Sequence, residues 1–348
     1  MIRICNTLSG LGYQITLVGV KRRNSSPLQE KKYRQTRLTT FFSRGCWFYA
    51  EYNLRLLIYL LFCRATAICS IDLDTILPVW LAGTLKNTKR IYDAHEYFSQ
   101  QKEIITRPWV YKIWFWIERV FVPKFSNGYT IGGKIAEEFK LKYGVDYEVI
   151  RNIPLLNSDF ILSQKKDKTI LYQGAVNEAR GLEYLVPAMK NIPARLLIYG
   201  DGNMLEGIRE LIALNNLEDK VLLKGKQLPE QLNDITPHCY IGLNLVENTG
   251  LNQYYSLANK FFDYIHSGLP QVTMNFPEYK MINDQFETAA LIDELSVASI
   301  TAAINKLLNE EDYYNRLKQN CFKAMQVLNW QNEEKKLIAF YERVLKRK

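Results

Sequence analysis

The sequence lacks three features that would assign it at once to a class of protein. It has no apolar run of the ~18 residues that span a bilayer, since Arg64 interrupts the most apolar stretch, residues 56–69. Its six cysteines are scattered, without a Cys-x-x-Cys pair or a histidine at ligand spacing, which argues against zinc and predicts buried, reduced thiols. Residues 8–20 are moderately apolar, but Lys and Arg fill positions 21–23, where a signal-peptide cleavage site would lie. We therefore expect a mature cytoplasmic protein.

Acidic residues are scarce at the start of the chain. Residues 1–50 hold nine Lys or Arg and a single acid, Glu30, and residues 1–150 hold 22 basic against 12 acidic residues. The whole chain carries +9, so the remainder is close to neutral. Such a field attracts the phosphates of nucleic acid, anionic lipid or a diphosphate-linked substrate, and a solvated basic loop is the alternative. No nucleic-acid partner is expected, because the second half is neutral and no nucleic-acid-binding motif is present.

The order of apolar runs indicates two α/β domains. The 348 residues are about twice the ~150 expected for one domain, and short β-rich runs alternate with longer amphipathic stretches. A linker is expected at 152–154, and helices at 108–122 and 134–143. The predicted strands are 14–20, 67–70, 90–94, 128–131, 148–150, 169–173, 194–199, 221–224, 241–245 and 271–274.

Two glycine turns follow strands in the second half. The strand 170–173 runs into Gly174, and a helix begins near Leu182 just after Arg180. The amino end of a helix exposes unpaired N–H groups, so this junction suits a phosphate, although most strand-to-helix turns look similar. The next strand ends at Gly200, where either a nucleotide approaches the backbone or a tight turn needs positive φ.

The most specific motif is the run 254–270. Ser256 is a candidate N-cap, an amphipathic helix follows, and Gly-Leu-Pro at 268–270 ends it. Asp263 lies seven residues after Ser256, two turns into the expected helix. Because aromatic and aliphatic residues flank it, we predict that Asp263 faces a polyol rather than solvent.

The run 255–272, YSLANKFFDYIHSGLPQV, resembles the donor-sugar helix of glycosyltransferase family 4, retaining enzymes of the GT-B fold. The family pattern is E-x7-E followed by a small-residue stretch that ends in G-x-P. Residues 92–98 resemble the family's D-x-H-E segment, residues 151–154 its N-x-P linker and residues 174–181 its phosphate loop. Residues 200–202 resemble its second glycine turn, and residues 329–345 resemble its C-terminal segment.

The resemblance implies a fold and an activity. It implies two Rossmann-like, doubly wound domains that face a cleft, with a C-terminal helix that crosses back to the first domain. The acceptor-side domain would comprise 1–152 plus about 330–348, and the donor-binding domain 153–329. The enzyme would transfer a hexose, with retention, from a nucleotide diphosphate sugar to a glycan or lipid-linked acceptor in cell-surface polysaccharide synthesis. No cofactor or metal is expected.

The resemblance also implies roles for individual residues. Asp263 would contact the ribose hydroxyls, and Arg180 and Lys260 would bind the diphosphate. His95 would help to place the reactive sugar or the acceptor. The donor-binding residues would be Gly174, Gly200, Lys226, Gln227, Asn252, Tyr255, Ser256, Leu257, Ala258, Asn259 and Asp263.

Three departures from the family pattern support an alternative. Tyr255 stands where the first carboxylate of E-x7-E is expected, and Ala175 stands where an arginine is expected. Residues 1–13 match the family's first helix, so its first strand is missing, and either the chain begins late or the first domain is incomplete. The alternative is a donor-binding partner protein that is catalytically impaired.

Residues 107–119 carry three tryptophans between basic residues. Tryptophan with Lys and Arg suits a helix that rests on anionic lipid, whereas a core helix that packs its aromatic residues is the alternative. Together with the basic segment 21–44, this helix predicts a peripheral protein at the inner face of the plasma membrane.

Overall fold

The computed structural model describes residues 1–23, 25–157 and 168–345. The chain divides into two compact units, Met1–Arg151 with Glu333–Lys348 and Asn152–Asn332. The end of the C-terminal segment that we assign to the first domain, 346–348, lies outside the described residues.

The first unit contains two parallel sheets, of two and four strands. In the smaller sheet β1 pairs with β2, and in the larger one the order is β3-β4-β5-β6. The described residues before β1 contain a helix and no strand. The strands are β1 Thr16–Lys21, β2 Arg34–Thr39, β3 Ala67–Ile71, β4 Lys89–Ala94, β5 Asn127–Thr130 and β6 Glu148–Val149. The helices are α1 Ile2–Gly10, α2 Gly45–Phe62, α3 Ile76–Leu85, α4 Lys102–Ile105, α5 Pro108–Phe121 and α6 Gly133–Tyr143.

The second unit is built on one six-stranded parallel sheet, in the order β12-β11-β10-β7-β8-β9. The strands are β7 Thr169–Gln173, β8 Arg195–Tyr199, β9 Val221–Leu223, β10 Ile241–Asn244, β11 Gln271–Met274 and β12 Ala289–Ile292. The helices are α7 Leu182–Ala188, α8 Leu205–Leu214, α9 Pro229–Ile235, α10 Leu251–Tyr254, α11 Asn259–His266, α12 Pro277–Phe286, α13 Val297–Asn309 and α14 Glu311–Val327. A last helix, α15 Trp330–Leu345, belongs to the first unit from Glu333 onward.

The order of this sheet locates a natural ligand site. The chain leaves β7 towards β8 and β9, and then returns to build β10 on the other side of β7. Loops after β7 and β10 therefore diverge to opposite faces of the sheet, and ligands of doubly wound folds bind at the carboxyl ends of the strands at this point. Every residue of β7 is buried, as expected for a parallel strand that helices cover on both faces.

The predicted α/β class with two Rossmann-like domains is confirmed. All ten predicted strands are present, with bounds within two residues, and so are the helices predicted at 108–122 and 134–143. Strands β2 and β12 and helix α2 were not predicted. The prediction of buried cysteines is wrong for Cys46, which is exposed, and right for Cys5, Cys239 and Cys321. No helix in the described residues is both long and apolar enough to cross a bilayer.

Candidate functional site

Two glycine loops interlock at the carboxyl ends of β7 and β8. Gly174 has φ 135°, and its N–H donates to Tyr199 O at 2.9 Å. A Cβ on Gly200 would lie 1.8 Å from Gly174 O, and Gly200 N–H donates to Gly225 O at 3.0 Å. Only glycine is therefore accommodated at position 200. The close packing holds the loops after β7, β8 and β9 together.

Lys260, in the first turn of α11, reaches this glycine pair. Its Nζ lies 4.0 Å from the centroid of the Tyr172 ring, and a Cβ on Gly174 would be 3.6 Å from the same nitrogen. The residue as a whole is partly exposed, but Nζ is buried and has no hydrogen-bond partner among the described residues. Burial, with a smaller effect from the charge of Arg180, lowers the pKa of Lys260 to about 7. A buried ammonium without a partner is costly, so this geometry suits an anion.

Arg180 provides the second positive charge near Tyr172. It is partly exposed in the loop between β7 and α7, and its charge acts on both Tyr172 and Lys260. The preceding residue, Ala179, has φ 61°, a left-handed conformation that is strained for a residue with a side chain. Its carbonyl accepts a hydrogen bond from Glu247 N at 3.1 Å, which fixes the loop against the segment that follows β10.

Asp263 lies at the end of β7. Its Oδ2 accepts a hydrogen bond from Gln173 Nε2 at 3.2 Å, and Gln173 Oε1 accepts one from Thr236 Oγ1 at 2.9 Å. Gln173 is the last residue of β7 and is buried. Residues three apart share a helix face, so Asp263 and Lys260 project from the same side of α11. A carboxylate and an ammonium thus lie beside the Gly174 turn.

The prediction that Ser256 caps this helix is wrong. Helix α11 begins at Asn259, its N-cap residue is Ala258, and no side chain caps it. Ser256 Oγ instead lies 3.3 Å from Tyr279 Oη, which also accepts the hydrogen bond of Ala258 N at 3.0 Å. Tyr279 thus holds this segment in an irregular conformation, and Asp263 lies about one turn into the helix rather than two.

The other predicted donor-binding residues lie in neighbouring segments. Leu257 is buried, and Asn259 Oδ1 accepts a hydrogen bond from Asn152 Nδ2 at 3.0 Å. Lys226 is exposed in the loop after β9, and Gln227 Nε2 donates to Lys224 O at 3.5 Å. Asn252 lies in α10 and Tyr255 just after it, and both are partly buried. These segments follow β9 and β10, so they share the carboxyl edge of the sheet with Gly174 and Gly200.

Sequence reasoning missed three buried polar atoms in this part of the unit. Glu183 Oε2, Thr249 Oγ1 and Gln253 Oε1 are buried without a hydrogen-bond partner in the part of the chain that the structure describes. Glu183 lies in the first turn of α7, and its charge acts on Tyr172. An acidic residue in a first helical turn is common, so its position alone does not mark Glu183 as a site residue.

His95 belongs to a separate polar cluster in the first unit, at the end of β4. Its Nε2 lies 3.2 Å from Asp93 Oδ2, which also accepts a hydrogen bond from Tyr129 Oη at 2.9 Å. Its backbone N–H donates to Asp72 Oδ1 at 2.9 Å. Asp72 itself has φ 55°. Two carboxylates thus hold both the ring and the backbone of His95.

The charges of this cluster determine its protonation. Burial alone would lower the pKa of His95, but the Asp93 and Asp72 carboxylates outweigh it and raise the pKa above its usual value. Burial also raises the pKa of Asp72, although the neighbouring His95 opposes that shift. The arrangement favours a protonated imidazole that donates hydrogen bonds.

Residues 157–324, most of the second unit, match the family model described as glycosyl transferases group 1. Comparison with curated protein sequences gives no match.

Solved structures show the same fold at low sequence identity. Sucrose-phosphate synthase from Thermosynechococcus elongatus is 16% identical, with a TM-score of 0.83 over 98% of this chain and 92% of that one. WaaG, a glycosyltransferase involved in lipopolysaccharide biosynthesis, is 12% identical, with a TM-score of 0.73 over 97% and 94%. Anabaena HepE in complex with UDP-glucose is 12% identical, with a TM-score of 0.70 over 88% and 86%. The predicted GT-B fold is thereby confirmed. The chain carries a glycosyl transferases group 1 domain at residues 157–324, and it is a glycosyltransferase with two Rossmann-like domains.

Proposed function

We propose that this glycosyltransferase transfers a hexose, with retention, from a nucleotide diphosphate sugar bound by the second unit. The observation that carries the proposal is the buried, unpartnered Nζ of Lys260 beside the Gly174 turn, within the described residues. A diphosphate would supply the missing partner, and it would restore the charge that burial disfavours.

The site must stabilise the departing nucleoside diphosphate. Negative charge develops on the leaving oxygen, and donors held in place before the reaction stabilise it most effectively. Lys260 and Arg180 supply the positive charges in this proposal, and the amino end of α11 adds backbone N–H groups. Because these groups carry the charge stabilisation, we assign no role to a metal or other cofactor.

The remaining predicted residues would orient the donor. Asp263, held by Gln173, would accept hydrogen bonds from the ribose hydroxyls. The loop at Lys226 and Gln227 would contact the base, and the segment at Asn252 and Tyr255 would contact the hexose. We propose that His95 donates a hydrogen bond to the hexose or the acceptor, since Asp93 keeps its ring charged and oriented.

We propose a glycan or a lipid-linked oligosaccharide as acceptor, in the synthesis of a cell-surface polysaccharide. The support is similarity of fold to WaaG and to HepE, which binds UDP-glucose. The same similarity makes a UDP-sugar the first donor to test.

A donor-binding protein with impaired catalysis is the second candidate. It is favoured by Tyr255, which replaces a carboxylate, and by Ala175, which replaces an arginine. Tyrosine cannot act as an anionic acceptor at neutral pH. Donor affinity with no transfer or hydrolysis of any UDP-, GDP- or ADP-sugar would favour this candidate over the enzyme.

Titration calorimetry with UDP and with inorganic pyrophosphate separates the two binding roles. Lys260→Met removes a charge-assisted contact worth about 1.5–3 kcal/mol, so both ligands should bind roughly 10- to 100-fold more weakly. Asp263→Asn should lower the affinity for UDP by roughly tenfold. It should change the affinity for pyrophosphate by no more than about twofold, because pyrophosphate has no ribose.

The matched control is Lys190→Met, an exposed lysine that precedes β8 and so lies at the opposite edge of the sheet. It should bind both ligands like the original protein. Equal losses for Lys190→Met and Lys260→Met, or no loss for either, would contradict the assignment of Lys260 to the diphosphate.

A further inference from the structure

Helix α5 exposes a continuous apolar stripe. Trp109, Ile113 and Trp116 are 77%, 59% and 57% exposed, although apolar residues of this size are usually buried. Their spacing of four and three residues puts them on one face of the helix. Ile117, Glu118 and Phe121, on another side of the helix, are buried. The helix is therefore packed in the unit through one face and presents a second apolar face to solvent.

Helix α2 has the same construction. Trp47, Leu54 and Ile58 are exposed at helical spacing, and Phe62 at its end is 86% exposed. The buried positions recur every four residues from Phe48, on the opposite face. Such a helix carries apolar side chains on two opposite sides, and a globular monomer seldom leaves one of them uncovered.

The two helices belong to one layer, with α3 packed against both. Tyr49 of α2 contacts Trp114 of α5, with ring centroids 5.3 Å apart, and Trp80 of α3 contacts Phe121 of α5 at 5.1 Å. Helix α3 adds Leu85, which is also exposed. The solvent side of α2, α3 and α5, here named the three-helix face, thus collects exposed apolar side chains from three adjacent helices.

Basic side chains surround the three-helix face. Arg107, Lys112, Arg119 and Lys124 are exposed within and beside α5, and Lys112 Nζ lies 4.8 Å from the Trp109 ring centroid. The one acid of α5, Glu118, is buried.

The charge pattern continues on α2. Arg44 is exposed just before it, and its one acid, Glu51, is paired with Arg55 at 2.8 Å. On α2 and α5, the exposed charges without an ion-pair partner in the described residues are therefore positive.

We propose that the three-helix face docks on an anionic lipid bilayer. Tryptophan and aliphatic side chains suit the boundary between head groups and acyl chains, and the surrounding Lys and Arg match anionic head groups. Charge complementarity selects this occupant over a second copy of the chain, whose corresponding face would carry the same positive charge. The inference uses only first-unit residues, so it stands or falls independently of the donor site.

Vesicle sedimentation of the full chain tests the docking. The protein should bind vesicles of phosphatidylcholine with 30% phosphatidylglycerol at least tenfold more tightly than pure phosphatidylcholine, and 0.5 M salt should weaken that binding several-fold. The double variant Trp109→Ser/Trp116→Ser should bind at least tenfold more weakly, and so should Lys112→Glu/Lys124→Glu.

Leu141→Ser is the matched control, because Leu141 is 83% exposed on α6 of the same unit. It should bind anionic vesicles like the original protein, and unchanged far- and near-ultraviolet circular dichroism in all variants would show that they are folded. Equal binding to neutral vesicles, or undiminished binding by the tryptophan variant, would overturn the proposal. So would a stable dimer in solution that the tryptophan substitutions dissociate while vesicle binding is absent.

Discussion

Lys260 shows how a single residue prepares a binding site. Its Nζ is enclosed by the Tyr172 ring and the Gly174 turn, and burial holds its pKa near 7, far below the ordinary lysine value of 10.5. The buried environment thus favours the neutral amine, whereas a bound diphosphate would favour the ammonium. Affinity and protonation should therefore be linked.

This linkage predicts a specific pH dependence. Below pH 7 Lys260 is charged in both the free and the bound protein, so its protonation does not alter the affinity for UDP. Above pH 7 the free amine is neutral, and binding of UDP must take up a proton. The affinity should then fall as pH rises, by up to about tenfold per pH unit.

Calorimetry at pH 8 in buffers of different ionisation enthalpy measures this proton uptake directly. Close to one proton should be taken up by the original protein and none by Lys260→Met. Identical uptake in the two proteins would show that another group titrates.

His95 offers a second titration, in the first unit. Its raised pKa means that its charged form contributes stability below the unfolded value of about 6.5, and that this contribution is lost as pH rises through the folded pKa. Asp93→Asn should lower the pKa of His95, because it removes the neighbouring negative charge.

Nuclear magnetic resonance can follow the histidine rings, since the chain has only three. His266, whose Nε2 lies 2.7 Å from Leu328 O in the second unit, provides the internal reference, and its ring signals should not differ between the two proteins. An unchanged His95 titration in Asp93→Asn would mean that Asp93 does not control its charge.

At the scale of elements, the packing of two loops makes Gly200 irreplaceable. In Gly200→Ala the new Cβ would collide with Gly174 O at 1.8 Å, and that backbone is itself fixed by the bond to Tyr199 O. We expect a loss of about 1–3 kcal/mol in the free energy of unfolding, together with weaker UDP binding.

Gly207→Ala is the control for this substitution. Gly207 is exposed in α8, and the nearest atom to a new Cβ would be Met204 Cε at 3.7 Å. Alanine favours helix by about 0.5–1 kcal/mol over glycine, so Gly207→Ala should be slightly more stable in urea denaturation. Similar destabilisation by both substitutions would refute the loop collision.

Some elements were predictable because their signal is local. Buried parallel strands such as β7 have a continuous apolar centre, here residues 170–172, so their positions follow from the sequence. Strand β2, Arg34–Thr39, contains one apolar residue, Leu38, and has no alternation of apolar and polar residues. Its pairing with β1 therefore could not be predicted from its own sequence. Its existence depends on a partner strand rather than on its own pattern.

The site shows the same division. The glycine turns and Asp263 follow from motif spacing, but the start of α11 depends on Tyr279, 21 residues beyond Ala258 along the chain. The desolvation of Lys260 likewise arises from contacts with Tyr172 and Gly174, and Asp93 acts on His95 through a side-chain contact. Such long-range contacts have no signature in local sequence.

At the scale of the whole molecule, charge and chemistry are divided between the two units. The excess of positive charge lies in the first unit, whereas the proposed diphosphate site uses two cations of the second unit, whose residues 152–332 hold 16 basic and 21 acidic residues. We therefore relate the basic character of the first unit to the three-helix face, and the nucleotide sugar to the loops after β7, β8 and β10.

A crystal structure of the protein with bound UDP tests the central claim most directly. The account predicts the diphosphate within hydrogen-bond distance of Lys260 Nζ and beside Gly174, with the ribose hydroxyls on Asp263. A diphosphate bound elsewhere, with Lys260 Nζ still buried and unpartnered, would contradict it.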